Sequence, residues 1–305
     1  MSTLNTCTSS TRPGSPAAGD TLFETDTNKI IVYDGSEFKE YKSDSGTYDL
    51  DGTNTLSVRP LFHFDAEKIN GSDATGNPSN AAAFTGQWIS KVNSATTVAQ
   101  ATASAQPTYN TSGENSQAYL SFDGGDFLHL TTRVYFKEDF TFMTIAKGAA
   151  STSNMSPLGG PGADFDPYAS NAFNLGGAGP FSGRPNDVLI FYSDNTVSGY
   201  PGTASFPTGK NFHAQTRNLI FKRESAAATL FFDGNNQVSR SSNTSNVDIR
   251  VGSIGKTNFN KTTGNIYEII AFDSALSSTD LNSWNAYVTS RYAAGSGAME
   301  SQDNF

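Results

Sequence analysis

Glu268 is the only carboxylate in the apolar run 265–272 (NIYEIIAF). A retaining glycosidase needs two carboxylates about 5 to 5.5 Å apart, which one strand supplies from residues two or four positions apart. Glu268 has no such neighbour, and its expected role is a structural hydrogen-bonding one at a sheet margin. The histidines, His63, His129 and His213, fall in different strand-like segments. None has a partner at metal-pair spacing, so each is expected as a packed or surface imidazole. The glycine-rich stretches at 158–162 (LGGPG) and 175–179 (LGGAG) have no following helix and no Lys-Ser/Thr pair, and are loops rather than phosphate cradles. Cys7 is the only cysteine, which excludes an intramolecular disulfide or a thiolate metal cluster and leaves an inert thiol in a loose terminus. Aromatic rings and carboxylates do gather outside the strand-like runs, at Asp164, Asp166 and Tyr168 (DFDPY, 164–168) and between Tyr192 and Tyr200. An aromatic face with planar polar groups is how sugars are held, and these five residues are the candidate glycan contacts. Packing of a glycine-rich loop on its own aromatics is the competing use of the same rings.

The elements that must position these residues are strands. Among 305 residues there are 28 Gly, 22 Phe and 12 Tyr, a composition of aromatic strands joined by tight turns. Strand-like runs recur at 61–65, 118–122, 140–147, 188–192, 218–222, 229–232 and 265–272, without helix-period segments between them. That pattern predicts an all-β antiparallel sandwich rather than a parallel α/β sheet. The runs at 140–146 and 266–272 are apolar on both faces and must be covered on both sides. Tyr33-Asp34-Gly35, Phe122-Asp123-Gly124 and Phe232-Asp233-Gly234 read as hairpin turns. A single helix is expected over 277–292, where Leu281, Trp284, Val288 and Tyr292 follow a Ser277-x-x-Asp280 cap.

Ahead of this domain, segments 21–25, 29–33 and 37–41 read as a three-stranded β-meander, preceded by polar punctuation and followed by a polar linker over 42–58. The expected organisation is an N-terminal meander and linker over 1–58, a sandwich over 59–292 and a loose tail over 293–305. Acidic residues outnumber basic ones by 29 to 20, for a net charge of −9, and no basic cluster fits a nucleic-acid partner. The N-terminus lacks the apolar core of a signal peptide, and there is no run of about 18 apolar residues; the expectation is a soluble chain made in a host cytoplasm, with no membrane insertion.

Two stretches resemble known families. Leu61-Phe62-His63-Phe64-Asp65-Ala66, Gln87-Trp88, the segment 99–109, Tyr119-Leu120-Ser121-Phe122-Asp123-Gly124 and Phe140-Thr141-Phe142-Met143 appear in the order of the concanavalin A-like lectin/glucanase superfamily. Val251-Gly252-Ser253-Ile254-Gly255 and 264–272 continue it, and the likeness is to the laminin-G-like members. The resemblance implies a two-sheet jelly roll whose curved sheet and rim loops meet glycans or proteins. The superfamily's glucanases carry Glu-x-Asp-x-x-Glu on a strand, which is absent here, so a non-enzymatic protein is expected. Some relatives hold calcium with loop carboxylates, and Asp123, Asp126, Asp164 and Asp166 stand in turns. Such a site gathers six to eight oxygens from several loops, and neither a metal nor another cofactor is assigned.

The second stretch, Arg12-Pro13, Pro16, Gly19-Asp20, Phe23, Thr25-Asp26-Thr27-Asn28 and Val32-Tyr33-Asp34-Gly35, resembles a short module of phage fibres and other phage structural proteins. It implies a virion-surface protein, a head decoration or fibre, or a tail fibre component. Arg12, Pro13, Phe23, Tyr33 and Phe38 are its candidate attachment residues. Three short strands need another surface to be stable; a neighbouring capsid or tail protein, or copies of the chain in a homotrimer, would provide it. The expected function is adhesion to host-surface or environmental glycans. The alternative is a purely architectural capsid or tail protein.

Overall fold

The computed structural model describes residues 5–17, 20–26, 29–33, 35–40, 46–137, 139–149, 154–158, 173–176, 188–191, 203–205, 215–225, 227–241, 248–255 and 262–292. They fall into two units, Met1–Thr47 with Ser57–Arg59, and Tyr48–Leu56 with Pro60–Phe305.

In the first unit, β1 (Asn5–Cys7), β2 (Thr21–Glu24), β3 (Lys29–Tyr33) and β4 (Phe38–Glu40) form one sheet in that order. The expected meander is β2–β3–β4, with Leu22 opposite Ile31 and Tyr33 opposite Phe38. Leu22, Glu24 and Ile31 are buried on one face. β1 is an addition to the expected meander. It runs parallel to β2, with Asn5 opposite Leu22 and Cys7 opposite Glu24, a pairing that no apolar alternation advertises. Cys7, expected in a loose terminus, ends this strand, and its carbonyl accepts from the Thr25 amide at 2.9 Å.

The second unit begins with a hairpin, β5 (Tyr48–Asp49) and β6 (Thr55–Leu56), inside the stretch expected to be linker. The polar residues that suggested a linker make its turn: Asp49 Oδ1 accepts from the amides of Asp51 and Gly52, and Asp51 Oδ1 from those of Thr53 and Asn54. Leu50 and Leu56 are its buried anchors. Then follow β7 (Phe62–Asp65), β8 (Ala82–Ala83), β9 (Gln87–Ile89), β10 (Thr97–Ala99), β11 (Thr108–Asn110) and β12 (Tyr119–Asp123). β13 (Leu128–Lys137), β14 (Phe140–Gly148), β15 (Asn154–Leu158), β16 (Phe173–Gly176), β17 (Val188–Phe191) and β18 (Thr203–Ser205) continue the chain. β19 (Arg217–Glu224), β20 (Ala227–Phe232), β21 (Asn235–Ser241), β22 (Asp248–Ile254), β23 (Thr263–Phe272) and the helix α1 (Ser278–Tyr292) complete it.

A nine-stranded sheet runs β21-β20-β19-β14-β23-β12-β11-β8, with β7 also on β23; a four-stranded sheet runs β22-β13-β10-β9. The pairings within both are antiparallel. Between the two sheets Phe62, Phe64, Leu120, Phe122, Phe140, Phe142 and Ile269 meet Trp88, Val98, Leu128, Leu130 and Ile254 in one core. The far face of the large sheet is covered by α1, which buries Leu281, Trp284, Tyr287, Val288 and Tyr292. β14 and β23 are thus buried along nearly their whole length, the double covering that their unbroken apolar runs demand. The expected antiparallel sandwich with a C-terminal helix is the observed architecture. The expected cap is also present: Asp280 N donates to Ser277 Oγ at 3.1 Å, and the Ser277 hydroxyl donates in turn to Asp280 Oδ2 at 2.6 Å.

Of the three aromatic-Asp-Gly turns, Phe232-Asp233-Gly234 closes a two-residue hairpin, with φ of 50° and 83° at Asp233 and Gly234 and Phe232 opposite Asn235. Phe122-Asp123-Gly124 is not a hairpin turn. β12 lies in the large sheet and β13 in the small one, so this turn carries the chain across the core.

Candidate functional site

The densest polar chemistry among the described residues lies beneath α1. His63 and Asp65 are two apart on β7 and therefore share a face, and the register sets Asp65 opposite Glu268 on β23. All three are fully buried. From α1, Tyr287, Arg291 and Tyr292 reach down at helical spacing. Arg291 forks Asp65, Nη1 to Oδ2 at 2.9 Å and Nη2 to Oδ1 at 2.7 Å, and its Nη1 lies 3.4 Å from Glu268 Oε2. Glu268 Oε1 also accepts from Tyr287 OH at 2.7 Å and from His63 Nε2, while Oε2 accepts from Tyr292 OH at 2.8 Å. Lys91 Nζ stands 3.5 Å from Asp65 Oδ2, and Arg291 Nε donates to Gln117 Oε1 at 2.7 Å.

The charges balance: two carboxylates face one guanidinium and one ammonium around a neutral imidazole. Burial alone would raise the Asp65 carboxyl, but the charge and hydrogen bonds of Arg291, with Lys91, hold it well below the usual carboxylate range. Burial acts against Glu268 in the same way, and Arg291 and His63 keep it low. Burial lowers His63, with Lys91 adding to the effect, and burial beside these carboxylates drives Tyr287 and Tyr292 upward. Glu268 is therefore neither alone nor at a sheet margin. Its partner carboxylate comes from a distant strand, and the strand that carries it lies between β14 and β7. The hydrogen-bonding role expected of it is the one observed. A carboxylate pair closed off from solvent and saturated by a guanidinium and two phenols has no face to offer an anomeric carbon or a water molecule.

The candidate attachment residues lie in the first unit. Arg12 Nε donates to the buried Glu24, and its guanidinium stands 5.8 Å from the Phe38 ring, which is 5.1 Å from that of Tyr33. Arg12, Tyr33 and Phe38 are thus brought together over one face of the sheet. Phe23 alternates to the other face, and Pro13 is exposed.

The five candidate glycan contacts, Asp164, Asp166, Tyr168, Tyr192 and Tyr200, lie outside the described residues, as does His213. His129 is half-buried, its ring perpendicular to that of Phe127 at 4.8 Å. Asp123 and Asp126, considered for calcium, serve their own turn: Asp126 Oδ2 accepts from Asp123 N at 3.0 Å and Asp123 Oδ1 from Gly125 N at 2.6 Å. Burial pushes the Asp126 carboxyl up to about 6. Among the described residues no group of three or more His, Cys, Asp or Glu is placed to hold a metal ion, and no helix is long and apolar enough to cross a membrane.

No protein-family model matches the sequence, and no curated protein matches it. Solved structures do. A GH54 α-L-arabinofuranosidase soaked with a cyclic sulfate inhibitor aligns over 83% of this chain and 63% of its own length, at 14% identity and a TM-score of 0.51. At that identity the likeness is one of fold, and the chain spans less than two thirds of that enzyme. Domain 4 of AbnA, an extracellular arabinanase of Geobacillus stearothermophilus, in complex with arabinotriose, aligns over 74% of this chain and 98% of its own, at 17% identity and a TM-score of 0.46. The CBM40 of a Ruminococcus gnavus sialidase, bound to α2,6-sialyllactose, aligns over 47% and 80%, at 13% identity and a TM-score of 0.36.

Proposed function

We propose that this chain is a carbohydrate-binding protein without hydrolytic activity, carried on a phage virion surface by its N-terminal unit. The observation that carries the non-catalytic part is the closure of Asp65 and Glu268: both are fully buried, and Arg291, Tyr287 and Tyr292 occupy their oxygens. What remains for a sugar is a binding surface. Asp164, Asp166, Tyr168, Tyr192 and Tyr200 combine rings with planar acceptors, the chemistry that stacks on a pyranose or furanose face and hydrogen-bonds its hydroxyls. The order of landmarks shared with the laminin-G-like lectins supports the same assignment.

The virion part rests on the module-like order of residues 12–35. Arg12, Pro13, Phe23, Tyr33 and Phe38 are the residues of that unit that would meet a capsid or tail partner. A glycan array probed with the full-length protein tests the reading. Wild type should bind a defined set of glycans, and Tyr168→Ala should weaken those signals at least tenfold with an unchanged melting temperature. Silence across neutral and acidic glycans would leave an architectural protein in its place.

A further inference from the structure

His63 is the one group in the buried network that titrates near neutral pH in its ordinary state. Its two nitrogens have fixed partners. Nε2 faces Glu268 Oε1, a carboxylate oxygen that can only accept, so Nε2 carries the proton. Nδ1 is then an acceptor, and Tyr48 OH donates to it at 2.8 Å, with the two rings edge to face at 5.7 Å. Tyr48 is the first residue of the β5–β6 hairpin and is half-buried, whereas His63 is fully buried. The hairpin therefore forms part of the cover that keeps solvent from Nδ1.

A second proton on His63 would meet charge from every side. Glu268 of β23 and Asp65 of its own strand attract it; Lys91, after β9, and Arg291 of α1 repel it. Tyr287 and Tyr292 of α1 have their hydroxyl protons committed to Glu268. Because Lys91 and Arg291 already neutralise the two carboxylates, an imidazolium would leave a net positive charge in a fully buried site. Burial accordingly holds the imidazole below its ordinary range. The least disruptive way to accept the proton is to open the cover. The hairpin is a small element there, anchored by Leu50, Leu56, the Tyr48 bond and the Lys91 ammonium, which donates to the Leu50 carbonyl at 3.4 Å.

We propose that His63 makes the β5–β6 hairpin a proton-operated latch on the sandwich, closed over the neutral imidazole and opening more often as pH falls through the ordinary histidine range. The hairpin is flanked in sequence on both sides by residues of the N-terminal unit, up to Thr47 and at Ser57–Arg59.

The size follows from linkage. If the open form titrates at about 6.5 and the closed form binds no second proton, the opening constant rises roughly 30-fold between pH 7.5 and pH 5.0. Amide hydrogen exchange of the full-length protein, corrected for intrinsic rates, reads this at residues 48–56. The expected result is a protection loss of that order confined to the hairpin, with amides of β14 and β23 unchanged. His63→Gln offers one donor and one acceptor in place of the two nitrogens and does not titrate, and should remove the pH response. Tyr48→Phe should raise opening at both pH values and keep their ratio. A ratio under about threefold in wild type, a loss shared equally by β14 and β23, or a response that survives in His63→Gln would each overturn the latch.

Discussion

Replacing Arg291 by Met tests the reading of the buried network most severely. The substitution keeps an unbranched aliphatic stem and removes the fork at 2.7 and 2.9 Å to Asp65 and the contact at 3.4 Å to Glu268. Both carboxylates are fully buried, and Lys91, 3.5 Å from Asp65, is the cation that stays beside them. Removing one partner of a buried ion pair costs about 3 to 5 kcal/mol, against a typical domain stability of about 5 to 15 kcal/mol. Arg291→Lys retains the charge without the fork and should lose about half as much. Both tryptophans, Trp88 and Trp284, are fully buried in the sandwich unit, so tryptophan fluorescence in urea reports that unit by itself. A pH series adds a sign. Asp65 and Glu268 have lowered values in the folded state, so the stability they contribute is present above about pH 4 and is lost as pH falls through those values. In Arg291→Met that acid dependence should flatten. A loss below about 1 kcal/mol at pH 7, with the acid limb unchanged, would refute the assignment of Arg291 as the counter-charge that lets two carboxylates sit in the interior.

Other consequences follow from particular residues. Asp126 is raised to about 6 by burial, so the ionised turn is destabilised as pH rises through that value. Asp126→Asn, whose side-chain oxygen still accepts from Asp123 N, should gain stability over wild type between pH 4 and pH 8 in urea titrations. Gly255 has a φ of +90°, and an added Cβ would stand 2.6 Å from the Phe122 ring. Gly255→Ala should therefore lower stability by about 1 to 3 kcal/mol and the melting temperature with it. Arg12→Ala leaves Glu24 buried without its guanidinium; limited proteolysis should then cut within residues 1–47 while the tryptophan-monitored transition stays in place.

What the sequence disclosed was whatever is decided locally. The α1 cap is written in Ser277 and Asp280, three positions apart, and the strands β14 and β23 in unbroken apolar runs. The pairing of Asp65 with Glu268 depends on which strand lies beside β23, a choice made by the whole core, and no spacing rule connects residues so far apart in the chain. Hairpin 48–56 was hidden for the opposite reason. Its Asp-rich turn satisfies its own amides, which in sequence looks like a polar linker, and two leucines hold it in place. Phe122-Asp123-Gly124 and Phe232-Asp233-Gly234 share turn chemistry, yet one crosses between sheets and the other closes a hairpin. The difference lies in the strand that follows, since Leu128 and Leu130 of β13 face the core from the small sheet. β1 carries no side-chain signal, because its pairing with β2 is made by the backbone.

The claim that this sandwich binds carbohydrate without cleaving it comes down to the fate of a ligand held by the protein. Equilibrium dialysis of the full-length chain against an array-positive oligosaccharide, with the sugar's length determined by mass spectrometry after prolonged incubation, measures retention and cleavage together. Saturable retention of oligosaccharide at its original length is the predicted result. Shortened products that depend on Glu268, or no retention at all, would contradict the account.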